Sequence, residues 1–180
     1  MLTSEPVSDI LTLIGGSILE QYRFVLDTLE EMKIPYSIIE HPPALTTEEA
    51  DSYIEGMEGV RTKTLFLCNK KGAAYYLLIM DGSKRLDIKK LELLISDKKI
   101  RFCSPEQLMD KMGLTPGSVS LFGLLNNTGK DIVVLLDREM LKERLISFHP
   151  NDNTKTAFIT IDDMYRFIGE RGYTYTILDL

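Results

Sequence analysis

Two strongly apolar runs, KTLFLC at 63–68 and AAYYLLIM at 73–80, stand on either side of Asn69-Lys70-Lys71-Gly72. Runs of this length, rich in β-branched, aromatic and aliphatic residues and parted by an Asn/Gly turn signal, read as a β-hairpin. A hairpin is antiparallel, whereas a parallel pair needs a long crossover. The purely parallel, doubly wound architectures are therefore excluded. Further strand-like runs follow at 99–103, 131–137, 145–149, 157–161 and 174–179, some with helical segments between them and some without. The pattern predicts an α+β fold, a single domain with one mixed, curled β-sheet flanked by helices.

Helix signals fill the spaces. Ser17 with Glu20 forms a capping box ahead of Ile18, Tyr22, Val25, Leu26, Leu29 and Met32 at helical spacing. Gly15-Gly16 is expected to break the chain before it, which makes residues 1–16 an N-terminal extension and residues 17–180 the domain. Thr46 with Glu49 marks a short helix, and Asp87 caps another bearing Ile88, Leu91, Leu93 and Leu94. Ser104-Pro105-Glu106-Gln107 combines an N-cap, proline at the first helical position and a glutamine at the box position. A last helix is expected near 162–170.

At 180 residues the chain suits one domain. Its two cysteines, Cys68 and Cys103, fall in apolar runs and are expected as buried free thiols. No apolar run reaches membrane-spanning length, and Glu5 and Asp9 sit where a secretory signal would be basic, so a cytoplasmic protein without a membrane partner is expected. The net charge of −6 conceals an asymmetry: residues 61–101 hold 11 Lys and Arg against four acids. Such a basic segment on an acidic chain is suited to steering a polyanion.

The loop TPGSVSLFGLLNNTG at 115–129 places glycines in an apolar setting and ends on a turn signal. Its backbone amides could form an anion-binding concavity, or the run could be an ordinary turn. Lys63 opens a buried strand and must either reach the rim or face a polar cavity. Two histidines occur, His41 and His149, each followed by proline. His41 is expected to pack against its turn. Zinc-ligand spacing, phosphate-binding and dinucleotide fingerprints and a GxSxG elbow are all missing from the sequence, so no metal or cofactor is expected.

Taken in order, RTKTLFL at 61–67, the 115–129 loop and FHPNDNT at 148–154 resemble the YbaK-like prolyl-tRNA editing domain family. IPYSIIEHPPALTTEEA at 34–50, SKRLDIKKL at 83–91 and TYTILDL at 174–180 extend the resemblance over residues 21–180. It implies a free-standing aminoacyl-tRNA deacylase that hydrolyses misacylated tRNA in trans, above all alanine on proline tRNA. Alternatives are another small amino acid, cysteine or serine, or a non-catalytic module that binds charged tRNA ends. The resemblance makes Lys63 catalytic, as an electrostatic donor, and assigns substrate binding to Gly117, Ser118, Val119, Ser120, Phe122, His149, Asn151 and Thr154. It also implies that a bound water and the substrate's ribose hydroxyl share the chemistry, with aminoacylated tRNA as the partner. Leu121 departs from the family, which has proline there; a proline at 121 is expected to stiffen the loop or to change nothing.

Overall fold

The structure, a computed structural model, describes residues 7–44 and 47–180. The expected hairpin is formed by β2 (Thr62–Cys68) and β3 (Tyr75–Asp81), with Thr62 opposite Asp81 and Cys68 opposite Tyr75. β3 continues in parallel to β5 (Ile132–Asp137), and β5 in parallel to β8 (Tyr175–Leu178). The short β4 (Arg101–Phe102) pairs with the C-terminal end of β2, giving a mixed sheet in the order β4-β2-β3-β5-β8. A second, antiparallel sheet holds β1 (Ser37–Glu40), β7 (Lys155–Thr160) and β6 (Leu145–Phe148) in the order β1-β7-β6.

The curl arises where these two ladders meet. Val60 bridges Ile146 in parallel just before β2 begins, and the Thr62 hydroxyl donates to the Ser147 carbonyl at 2.5 Å. One edge of β2 is thus shared, by β6 at its start and β4 at its end. Gly59 makes the junction possible: its φ is +116°, and a Cβ there would lie 2.9 Å from Leu145 Cβ.

Helices cover both faces. α1 (Val7–Glu31) sends Val25 and Leu29 into the main core, with Met32 just past its end, and α5 (Ile161–Glu170) adds Met164, Phe167 and Ile168. α3 (Ile88–Ile95) closes a smaller core on the other face of the large sheet with Leu91, among Leu67, Leu78 and Met80. Asp87 caps α3 by accepting from the Lys89 and Lys90 amides. The capping box of α4 (Pro105–Met112) is present as read: the Ser104 hydroxyl accepts from the Gln107 amide, and the Gln107 side chain accepts from the Ser104 amide.

One local expectation changes. α1 runs through Gly15-Gly16 without a break, so Ser17 lies inside a helix that begins at Val7. Each glycine costs a helix about 1 kcal/mol, which burial further along the same helix can offset. α2 (Thr47–Tyr53) begins where its capping signal placed it, but Thr46 lies outside the described residues. Cys68 is buried, Cys103 is partly buried and both are free, as expected. No helix among the described residues is long and apolar enough to cross a membrane.

Candidate active site

Strand alternation builds the site. On β6 and β7, Ile146, Phe148, Ala157 and Ile159 face the main core. Their neighbours Ser147 and Thr156 must then face the other way, and the alternation carries on to His149. On that outer face, between the sheet and α2, lies a cavity of about 170 Å³. Its walls come from Asp51 of α2 and Ile54 just after it, Thr62 to Leu65 of β2, Ser147 to His149, Thr156, and Gly117 and Val119 of the loop. Four predicted residues, Lys63, Gly117, Val119 and His149, therefore converge.

Gly117 adopts φ +92°, a conformation that side chains disfavour, while a Cβ there would meet nothing within 4 Å. The glycine is required by the backbone's path and not by a close approach. The N–H groups of Gly117 and Val119 find no partner among the described residues. They are two donors in a cavity wall, as the concavity reading of the loop requires.

Lys63 lines the cavity and its ammonium is anchored. Nζ donates to the carbonyl of Gly82 at 3.2 Å and to that of Lys84, both in the turn after β3. An ammonium has three N–H donors, so one is left for a ligand. The cation is held by dipoles and has no carboxylate partner among the described residues, which leaves its charge available to an anion.

The His149 imidazole is mostly buried, and burial pushes its pKa below 6.5, with nearby His41 adding to the effect. Nδ1 lies 2.9 Å from the Lys155 carbonyl. A carbonyl can only accept, so Nδ1 carries the proton and Nε2 of the neutral ring presents a lone pair. His41 packs as expected: Nδ1 donates to the Pro42 carbonyl at 2.8 Å, Nε2 lies 3.0 Å from Thr156 Oγ1, and the ring stacks on Tyr53.

Five predicted binding residues stand elsewhere. Ser118 turns its hydroxyl back to the Thr115 carbonyl at 2.9 Å, closing the loop. Ser120 is fully buried and caps the 3-10 helix Leu121–Asn126 by accepting from the Phe122 amide. Phe122 is likewise fully buried, edge-on to Phe148 and Phe167, so it is core and not a substrate contact. The Asn151 amide lies 3.4 Å from the Phe122 carbonyl, and the Thr154 hydroxyl donates to Asp152 at 2.7 Å. Both serve the bend that carries His149. Leu121 is fully buried too, so the loop gains its rigidity from a cap and a core side chain, and proline there would forfeit that packing. Burial of Leu121 counts against the expectation that Leu121→Pro stiffens the loop or changes nothing.

Sequence reading missed Thr62, Ser147 and Thr156, three hydroxyls lining the cavity. A polar residue alternating with apolar ones in LISF and KTAFIT was the available signal. The basic segment divides as well. Arg61 is spent on the carbonyls of Ile54, Met57 and Gly59, and Lys84 is paired with Asp137 and Glu139. Lys70, Lys71, Arg85, Lys89, Lys90, Lys98 and Lys99 are exposed. No cluster of three or more His, Cys, Asp or Glu side chains suited to a metal occurs among the described residues.

A loop with free amides, an anchored lysine and a neutral histidine around a small cavity is a set suited to ester chemistry, and the sequence profile of the aminoacyl-tRNA editing domain matches residues 41–167. The chain belongs to the aminoacyl-tRNA editing domain family. It is therefore an aminoacyl-tRNA deacylase. Among its relatives, the prolyl-tRNA editing protein ProX of Acetoanaerobium sticklandii is 34% identical over 157 residues, covering 87% of this chain and 95% of the relative. The prolyl-tRNA synthetase associated domain-containing protein 1 of Danio rerio is 30% identical over 152 residues, 83% of this chain and 82% of its own. The fold is shared with a crystal structure of a proposed trans-editing enzyme for prolyl tRNA synthetase, at a TM-score of 0.69 and 22% identity over 89% of this chain and 97% of that one.

Proposed function

We propose that this deacylase edits in trans, hydrolysing alanine from mischarged proline tRNA and leaving the free amino acid and an intact tRNA end. The observation that carries this reading is the cavity, about 170 Å³, at which Lys63, the Gly117 and Val119 amides and His149 meet. Pockets for drug-sized ligands run to about 300–1,000 Å³. The space is suited to a small aminoacyl group, with the terminal adenosine lying outside it.

In this reading the two loop amides donate to the ester carbonyl oxygen, where negative charge builds as water attacks the carbonyl carbon. The carbon–oxygen bond to the ribose breaks, and the water's proton passes to the departing ribose oxygen through the neighbouring ribose hydroxyl. Lys63 directs its remaining N–H to a phosphate oxygen of the terminal nucleotide. His149 positions the aminoacyl group. The exposed lysines supply the long-range attraction for the acceptor stem.

Release of labelled amino acid from a panel of tRNAs charged with alanine, serine, cysteine and proline tests the proposal. Alanine should be freed fastest from proline tRNA and correctly charged proline spared. Equal rates across the panel, or no release at all, would contradict it.

A further inference from the structure

The polar groups on the β6–β7 side of the cavity have a common property: their protons are already committed. The Ser147 hydroxyl donates to the Val60 carbonyl at 3.1 Å, and the neighbouring Thr62 hydroxyl donates to the Ser147 carbonyl. At His41, Nδ1–H is taken by the Pro42 carbonyl, which leaves Nε2 to accept, and the hydroxyl that donates to it is Thr156. Thr156 is only 3% exposed, and its oxygen is left with lone pairs alone. His149 adds Nε2 as a further lone pair, since its own proton is on Nδ1.

A wall that only accepts repels carbonyl and carboxylate oxygens and welcomes a donor without acceptors. An α-ammonium group is that donor, with three N–H bonds and a positive charge. Unpaired donors stand away from that wall, on the loop at Gly117 and Val119 and on β2 at Lys63, where an ester carbonyl can be received. Thr64, whose hydroxyl is free to turn either way, sits on β2.

We infer that the β6–β7 wall reads the protonated α-amino group of the aminoacyl ester, with Thr156 as the specificity-determining contact, its hydroxyl turned into a pure acceptor by His41. The inference rests on the deacylase reading and deepens it. It assigns the substrate an orientation, ammonium toward the sheet and carbonyl toward the loop, and makes the free amine a condition of acceptance. His41 acts through Thr156 and is a positioning residue.

The test compares alanyl-tRNA with lactyl-tRNA, the isosteric ester in which a hydroxyl replaces the ammonium, each rate divided by its spontaneous hydrolysis. Hydrogen bonds to charged groups carry about tenfold to a hundredfold in such a comparison. The parent protein should prefer the alanyl ester by at least about tenfold. Thr156→Val should bring the ratio near one and Thr156→Ser should restore it. A ratio within one protein cancels partial unfolding. A parent ratio near one, or a Thr156→Val ratio equal to the parent's, overturns the inference while leaving deacylation intact. The same comparison by binding uses non-hydrolysable amide-linked alanyl and lactyl tRNA ends. It decides the question even if turnover is absent, in which case the deacylase reading alone fails.

Discussion

The rings of His41 and His149 meet beside the cavity with centroids 6.2 Å apart and planes tilted by 56°. β1 leads into one and β6 into the other, and both strands pair with β7, which supplies the Lys155 carbonyl to His149 and the Thr156 hydroxyl to His41. A single strand thereby contacts both histidines: its Lys155 carbonyl sets the tautomer of His149, while that of His41 is set by the Pro42 carbonyl and leaves Nε2 to the Thr156 hydroxyl.

His149 gives the first prediction. Burial holds its folded-state pKa below 6.5, so between that lowered value and 6.5 the unfolded chain binds more protons than the folded one. Stability from this group is complete above about pH 6.5 and is lost as the pH falls through the window. Urea unfolding from pH 8 to pH 5 should show that decline, and His149→Gln should reduce it. A histidine NMR titration with the His149 midpoint above 6.5 would contradict the assignment.

Lys63→Ala should lower deacylation by roughly 10²–10³, the usual loss for a donor placed at developing charge. The fold should persist, because the ammonium serves two carbonyls of a surface turn and not the core. Circular dichroism alongside single-turnover hydrolysis checks both halves. A folded variant with full activity would end the electrostatic role.

Leu121 and Phe122 should report on stability and not on recognition. Both are fully buried, and truncation of such side chains to alanine costs about 2–5 kcal/mol. Leu121→Pro belongs with them: proline suits the first position of a helix, but the packed side chain is lost. Denaturant midpoints should fall for all three, with KM for surviving folded protein little changed.

The exposed pair Lys89 and Lys90 at the start of α3 should contribute to tRNA binding through counterion release. Replacing both by alanine should reduce the slope of log K against log salt by about 1–2. Replacement of Lys84 should act differently, through stability, since it neutralises the fully buried Asp137. An unchanged slope in the Lys89/Lys90 variant would make these lysines mere solvated surface.

What the sequence disclosed follows from how local each signal is. The β2–β3 hairpin and α4 are written in contiguous residues, an Asn/Gly turn between apolar runs and a capping box within four positions, and both formed as read. Gly15-Gly16 is equally local, but one helix absorbed the cost of its glycines by packing further along. Lys63, Gly117, Val119 and His149 were legible because each is chemically out of place in its run. Ser147 and Thr156 were not, since a hydroxyl in a short apolar strand signals nothing until the opposite face is known to be core. Phe122 and Ser120 misled for the complementary reason: the loop carries an unforeseen 3-10 helix that packs into the core, and Ser120 to Leu124 are buried in succession.

The shared edge of β2 has a consequence for Thr64. The Thr62 amide points to Ser147, and the Phe66 carbonyl accepts from the Cys103 amide, so alternation sends the N–H and C=O of Thr64 toward the same edge. That edge is bare between the end of β6's reach and the start of β4's. The cavity thus lies at an interruption in a β-ladder, a place where folding stops one rung short. An occupant that completes the rung would slow hydrogen exchange at Thr64 while Leu65, which alternation turns toward β3, exchanged at its former rate.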